Sequence, residues 1–120
     1  MKILLVDDDA FLRDMYATKF GEDGHQVDVA KTGEEAIEKL RATTFDVVLL
    51  DMVMPGITGG ELLEKILTEK IGGDPACIVL SNQGEKEDIE KALASGAKGY
   101  IVKAEMIPSD VVAKVKELVG

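Results

Sequence analysis

The sequence predicts an α/β domain: a doubly wound, five-stranded parallel sheet with helices on both faces. Three observations predict it. Short apolar runs alternate with stretches of helical spacing five times along 120 residues. Three of those runs are almost wholly apolar, as strands covered on both faces are. The connections are short, which suits repeated strand–helix–strand crossovers.

The first run, KILLV (2–6), ends at Asp7-Asp8-Asp9. Behind it Phe11, Leu12, Met15, Tyr16 and Phe20 form one helical stripe. QVDVA (26–30) alternates, as a strand near an edge would, and Ala36, Ile37 and Leu40 follow with a Thr32/Glu35 capping box at the start. DVVLL (46–50) runs straight into Asp51, and the third helical stripe, Leu62, Leu63, Ile66 and Leu67, stands behind a Thr58/Glu61 box. ACIVL (76–80) precedes Ser81 and Asn82; Ile89, Ala92 and Leu93 follow and stop at Ser95-Gly96. GYIVK (99–103) leads to Val111, Val112, Val115, Leu118 and Val119, with Pro108 suited to a first helical turn. The expectation is one domain over residues 1–120, with no room for a second.

Composition narrows the function. The apolar share is 46% and the charged share 31%, ordinary for a soluble domain. No apolar run approaches the roughly 20 residues needed to cross a bilayer, and the apolar start is too short for a signal peptide. A cytoplasmic protein is expected. A net charge of −9 disfavours nucleic acid and anionic lipid as direct partners. Cys77 is the single cysteine, so no internal disulfide can form, and in CIVL it reads as a small buried hydrophobe.

In open parallel sheets ligands bind beyond the carboxyl ends of the strands. Here those ends carry Asp7, Asp8 and Asp9, then Asp51, then Ser81 and Asn82, then Lys103. Carboxylates from adjacent strands repel one another, and a hard divalent cation relieves that. Mg²⁺ takes one or two carboxylates and keeps several waters, and a backbone carbonyl after Asp51 could complete its shell. A bare acidic cluster repels phosphate, and no glycine-rich phosphate loop follows the first strand. With Mg²⁺ present, Lys103 and Ser81 would complete a pocket for a phosphoryl group, and Asp51 becomes a nucleophile able to form an aspartyl phosphate.

These residues resemble the receiver domain of bacterial two-component response regulators. LLVDDD, VVLLDMVMPGITG, VLSNQG and GAKGYIVKA carry the resemblance, in this order, across the whole chain. It implies a flavodoxin-like sheet of strand order 2-1-3-4-5. It implies Asp51 as phospho-acceptor from a histidine kinase or phosphotransfer protein. Asp8 would bind Mg²⁺ directly, Asp7 directly or through water, and the Val53 carbonyl would be a further ligand. Ser81 would hydrogen-bond the phosphoryl group, Lys103 would pair with it, and Tyr100 would change rotamer with Ser81. Asp9 would cap the first helix. Val53 and Gln83 resemble positions that tune hydrolysis. The output would be a protein partner, met through the fourth helix, fifth strand and fifth helix, a face that could also pair two copies. The domain's chemistry would be confined to itself. Either a stand-alone regulator or a receiver cut from a longer chain is implied. Lys103-Ala104 replaces the usual Lys-Pro, and because a cis bond before a non-proline residue costs roughly 3 kcal/mol, the expectation there is a trans bond, or else strain held by the site.

Other readings stand beside these. Asp7–Asp9 could be a solvated helix start, Lys103 an ordinary strand-end lysine, and Tyr100 plain packing. Met52 and Met54 read as loop packing and His25 as a surface residue. A pseudo-receiver that never phosphorylates is one rival. A small Mg²⁺ phosphatase is another, though Val53 stands where its second acid would be needed.

Overall fold

In a computed structural model, which describes residues 1–82 and 85–119, five strands and five helices alternate along the chain. They are β1 (Lys2–Val6), α1 (Ala10–Glu22), β2 (Gln26–Ala30), α2 (Gly33–Ala42), β3 (Val47–Leu50), α3 (Gly59–Glu69), β4 (Ala76–Ser81), α4 (Lys86–Ser95), β5 (Gly99–Val102) and α5 (Pro108–Val119). All strand pairs are parallel, and the order across the sheet is β2-β1-β3-β4-β5. QVDVA is an edge strand, as its alternation predicts.

Successive residues of a strand face opposite sides, and two cores result. Leu4, Val6, Val48, Leu50, Cys77 and Val79 pack against Ala36 and Leu40 of α2, Leu62, Leu63 and Ile66 of α3, and Ala92 of α4. Ile3, Leu5, Val47, Leu49, Ile78, Leu80 and Ile101 pack against Tyr16 and Phe20 of α1 and Val111, Val112 and Val115 of α5. The three inner strands are buried along nearly their whole length, so their carboxyl ends are rigid mounts.

Most helix signals hold. The Thr58/Glu61 box is reciprocal, Asp9 caps α1 by accepting from Leu12 N–H, and Gly96 ends α4 at φ 114°. Thr32 accepts from Glu35 N–H at 3.1 Å, but the Glu35 carboxylate turns to Lys39, so that box is half formed. Met54 is buried and Met52 packs beside it, as loop packing requires. The backbone carries no cis peptide bond, so Lys103-Ala104 is trans.

Four expectations change. Phe11 leaves the core: it is 76% exposed, and the inner face of α1 runs through Arg13, Tyr16 and Phe20 instead. Leu93 is likewise exposed. Ser81 belongs to β4, paired with Val102, and that pairing is the last of β5. Lys103 therefore lies past the strand and opens a 3-10 turn, Lys103–Glu105. Among the described residues no helix is long and apolar enough to cross a membrane.

Candidate functional site

The residues flagged at the strand ends meet in one place. Asp8, Asp9, Leu12, Asp51, Val53, Ser81, Asn82 and Lys103 line a single cleft at the carboxyl edge of the sheet. Register explains it: Val6 pairs with both Ala30 and Leu50, so Asp7 and Asp51 follow the ends of neighbouring strands.

Asp51 is buried and both its oxygens are engaged. Oδ1 accepts from Ser81 Oγ and from Val53 N–H, each at 3.1 Å, and Oδ2 accepts from Lys103 Nζ at 3.0 Å. Lys103 also donates to Asp7 Oδ2. Asp7 is 1% exposed, and its Oδ1 accepts from Asp9 N–H at 2.9 Å. Asp8 is exposed at the mouth.

Burial pushes the Asp7 carboxyl above its ordinary value, despite the opposing bond from Lys103. For Lys103 burial would act downward, but the hydrogen bond it donates to Asp7 and the charge of Asp51 prevail and hold it raised. The ammonium is thus firmly charged, a cation buried between two acids.

The fit of a divalent cation follows from the donors. One carboxylate oxygen from each of Asp7, Asp8 and Asp51 can be chosen so that all lie within 4.8 Å of one another. Oxygen is the ligand that hard Mg²⁺ takes, so three carboxylates drawn this close fit such an ion. Lys103 offsets one of the two charges of Asp7 and Asp51 from within and leaves the solvent side, with Asp8, for a second cation.

The loop after Asp51 is held closely. Gly59 N–H donates to the Met52 carbonyl at 3.2 Å, and a Cβ at Gly59 would stand 2.1 Å from the Asp51 carbonyl oxygen. Only glycine admits that approach. Glu34 of α2 accepts from Ile57 N–H at 3.4 Å and ties the same loop to its neighbour.

Tyr100 is half-buried on β5, packed on the α3–α4 side. Burial raises its phenol, opposed by a hydrogen bond with the Ser81 side chain. Ser81 therefore touches both the Asp51 carboxylate and Tyr100. Gln83 lies outside the described residues, as does Gly84 of the same loop. His25 stands apart, at the amino end of β2, bonded to the Met1 amine at 3.0 Å and to Asp23 at 2.9 Å. Cys77 is buried beneath the sheet, and burial, with the Asp74 charge, pushes its thiol up to about 12.

Two residues of the site neighbourhood lie on the buried face of α1, and a reading by hydrophobic pattern picks out only the second, Tyr16. Arg13 is buried on α1 and donates from Nη1 to the Asp7 carbonyl at 3.0 Å. Tyr16 is buried one turn on; burial raises its phenol, and the Lys103 and Asp7 charges act on it in opposite senses. Their signal is the 13-16-20 spacing, which lines a helix face when Arg13 is admitted to it.

Known proteins resemble this chain in sequence and in fold. The transcriptional regulatory protein ResD of Bacillus subtilis is 35% identical over 117 residues, 98% of this chain and 47% of its own. Chemotaxis protein CheY of Thermotoga maritima is 34% identical over 118 residues, 98% of this chain and 96% of that one. Response regulator protein TrrA from Thermotoga maritima, solved in complex with Mg²⁺-BeF, matches at a TM-score of 0.84 and 33% identity, covering 98% of this chain and 97% of that one. The chain spans about half the length of several curated relatives, ResD among them. The response regulator receiver domain family matches residues 3–116, from the first strand into the last helix. With that match and this strand order, the chain belongs to the family of response regulator receiver domains.

Proposed function

We propose that this domain is a phosphorylation-activated switch with Asp51 as its acceptor. The observation that carries the reading is the environment of that one carboxylate. It is buried and bonded to Lys103 and Ser81, within reach of the Asp7 and Asp8 oxygens. An Asp51 oxygen attacks the phosphorus of a phosphohistidine on a sensor kinase or phosphotransfer protein. The new O–P bond forms as the P–N bond breaks, and the departing imidazole nitrogen takes up a proton. Lys103 sets its charge against an equatorial oxygen, and Ser81 turns its hydroxyl from the Asp51 carboxylate to another.

Asp7, Asp8 and Asp51, with the Val53 carbonyl, would hold Mg²⁺, which when bound supplies positive charge against the transferring group. TrrA, solved with Mg²⁺ and a beryllofluoride, supports that assignment. Water later cleaves the acyl phosphate, so the chemistry acts on the domain alone.

The added phosphoryl brings about two negative charges. Ser81 is drawn to it and leaves Tyr100, which shifts on β5. The α4–β5–α5 face then meets a downstream protein differently, or a second copy of the chain.

The test is incubation with a small phosphodonor such as acetyl phosphate, with and without Mg²⁺, read by intact mass. One added phosphoryl that requires Mg²⁺ and is lost in Asp51→Asn is expected. Equal labelling of that variant would remove Asp51 from the role.

A further inference from the structure

We infer that Arg13 is a positioning residue for the acidic site: it clamps the turn that carries Asp8. This rests on the reading that Asp7, Asp8 and Asp51 hold a divalent cation.

Three observations carry it. First, the Arg13 side chain holds the carbonyl just before Asp8, and the first backbone bond of α1, made at the same residue, holds the carbonyl just after it. Arg13 Nη1 donates to the Asp7 oxygen at 3.0 Å, and the Arg13 backbone N–H donates to the Asp9 oxygen at 2.9 Å. The turn is tied at two further points, Asp7 N–H to the Ala30 carbonyl at 3.1 Å and Asp9 N–H to Asp7 Oδ1 at 2.9 Å. Asp8 itself is exposed. Its place is set by its neighbours, and one side chain reaches back from α1 to hold the Asp7 carbonyl.

Second, Arg13 occupies a core position at a cost that packing does not explain. It is 7% exposed, on the face of α1 that buries Tyr16 and Phe20. Among the described residues no carboxylate comes within ion-pair distance of it, and its Nε has no partner. A buried cation without a carboxylate and with an idle donor is unfavourable. A leucine or methionine would fill this space without that penalty. What the guanidinium adds is the charge-assisted bond to the Asp7 carbonyl.

Third, the chemistry needs a held turn. Three carboxylates converge on one point, and repulsion among them favours a turn that swings Asp8 away into solvent. A bond anchored in a packed helix opposes that motion. Lysine could supply the charge but not the planar fork that reaches a carbonyl in fixed geometry.

The experiment uses this chain and its Arg13→Lys and Arg13→Met variants. Mg²⁺ is titrated by amide chemical shifts, hydrogen exchange is read at the Asp9 amide without metal, and thermal melts are recorded. Both variants are expected to bind Mg²⁺ about tenfold more weakly, and the Asp9 amide to lose protection by a similar factor. If Arg13 acts only through its charge, Arg13→Met binds Mg²⁺ more tightly and Arg13→Lys matches the parent. If it serves packing alone, melting falls while affinity and Asp9 exchange stay unchanged. Either result overturns the inference. Should Arg13→Met fail to fold, Arg13→Lys carries the comparison. A parent chain that binds no Mg²⁺, or an Asp8→Asn variant that binds as the parent does, defeats the site reading itself and the inference with it. Parent binding lost in Asp8→Asn but unaltered by both Arg13 changes defeats the inference alone.

Discussion

The Lys103 ammonium donates to the Asp7 carboxylate at 2.5 Å and so joins residues 96 positions apart in the chain. It also holds Asp51 Oδ2 at 3.0 Å. All three groups are buried, so this lysine keeps two acids close together in the absence of metal. Taking one partner from such a set leaves charge buried and uncompensated, typically at 3–5 kcal/mol. Lys103→Met is expected to lose about 3 kcal/mol in metal-free urea melts. Added Mg²⁺ should restore part of that loss, because a second cation meets the same oxygens. A variant as stable as the parent without metal would show that Lys103 does not compensate the pair.

Ser81 offers a finer test. Its hydroxyl donates to Asp51 Oδ1 and also meets Tyr100. Ser81→Ala removes one hydrogen bond to the reacting group, worth about 1.4 kcal/mol, so labelling by acetyl phosphate should slow about tenfold. Ser81→Thr keeps the hydroxyl and should label near the parent rate. Tyr100→Phe removes a group that meets Ser81 on the side away from the reacting bond, so it too should label normally. A Tyr100→Phe rate as low as that of Ser81→Ala would place the phenol in the acceptor chemistry.

Glycine substitutions separate the held loop from an ordinary helix surface. A Cβ at Gly59 would stand 2.1 Å from the Asp51 carbonyl oxygen and 2.5 Å from Met52 Cα, both backbone atoms. Gly59→Ala should therefore cost about 3 kcal/mol and lower phosphoryl acceptance, since the strain falls on the residue carrying the acceptor. Gly21 lies in α1 with nothing within 4 Å of a built Cβ. Gly21→Ala should stabilise by about 0.5–1 kcal/mol. Denaturant midpoints of the two variants check both signs together.

The strands were legible because buried parallel strands are written as nearly unbroken apolar runs. Their ends were less so. Lys103 follows GYIV without interruption, yet the last pairing of β5 is Ser81 with Val102, and past it the chain turns. No local pattern marks the loss of a ladder partner. In α1 the apolar residues 11, 12, 15 and 16 suggest one face, but the buried face contains Arg13 and excludes Phe11. A reading by hydrophobicity discards arginine, and here arginine is inside because it bonds a carbonyl of the site. The acids were legible as strand-end residues. That Lys103 and Asp51 meet Asp7 depends on which strands are neighbours, and spacing alone does not set that order; the family resemblance supplied it.

Alkaline pH should expose the buried groups of the sheet. The folded Cys77 thiol is held up to about 12, against 9.0 for a free one, through burial first and the Asp74 charge second. Lys103 is raised above 10.5 by its acids, which outweigh burial. In both cases the folded state keeps the proton better than the unfolded chain. Each therefore contributes stability that is whole below the unfolded value and is lost as pH rises toward the folded one. For Cys77 the window is pH 9 to about 12, with a slope of about 1.4 kcal/mol per pH unit. Lys103 adds to the decline from 10.5 upward. Urea melts from pH 8 to 11 should show stability falling, and Cys77→Ala should remove the part that begins near pH 9 while costing a small fixed amount for the lost packing. Alkylation checks the same burial kinetically: iodoacetamide should label Cys77 of the folded chain at pH 8 only as fast as the chain opens. Rapid labelling of native protein, or an identical slope in Cys77→Ala, would show that the thiol is not sequestered beneath the sheet.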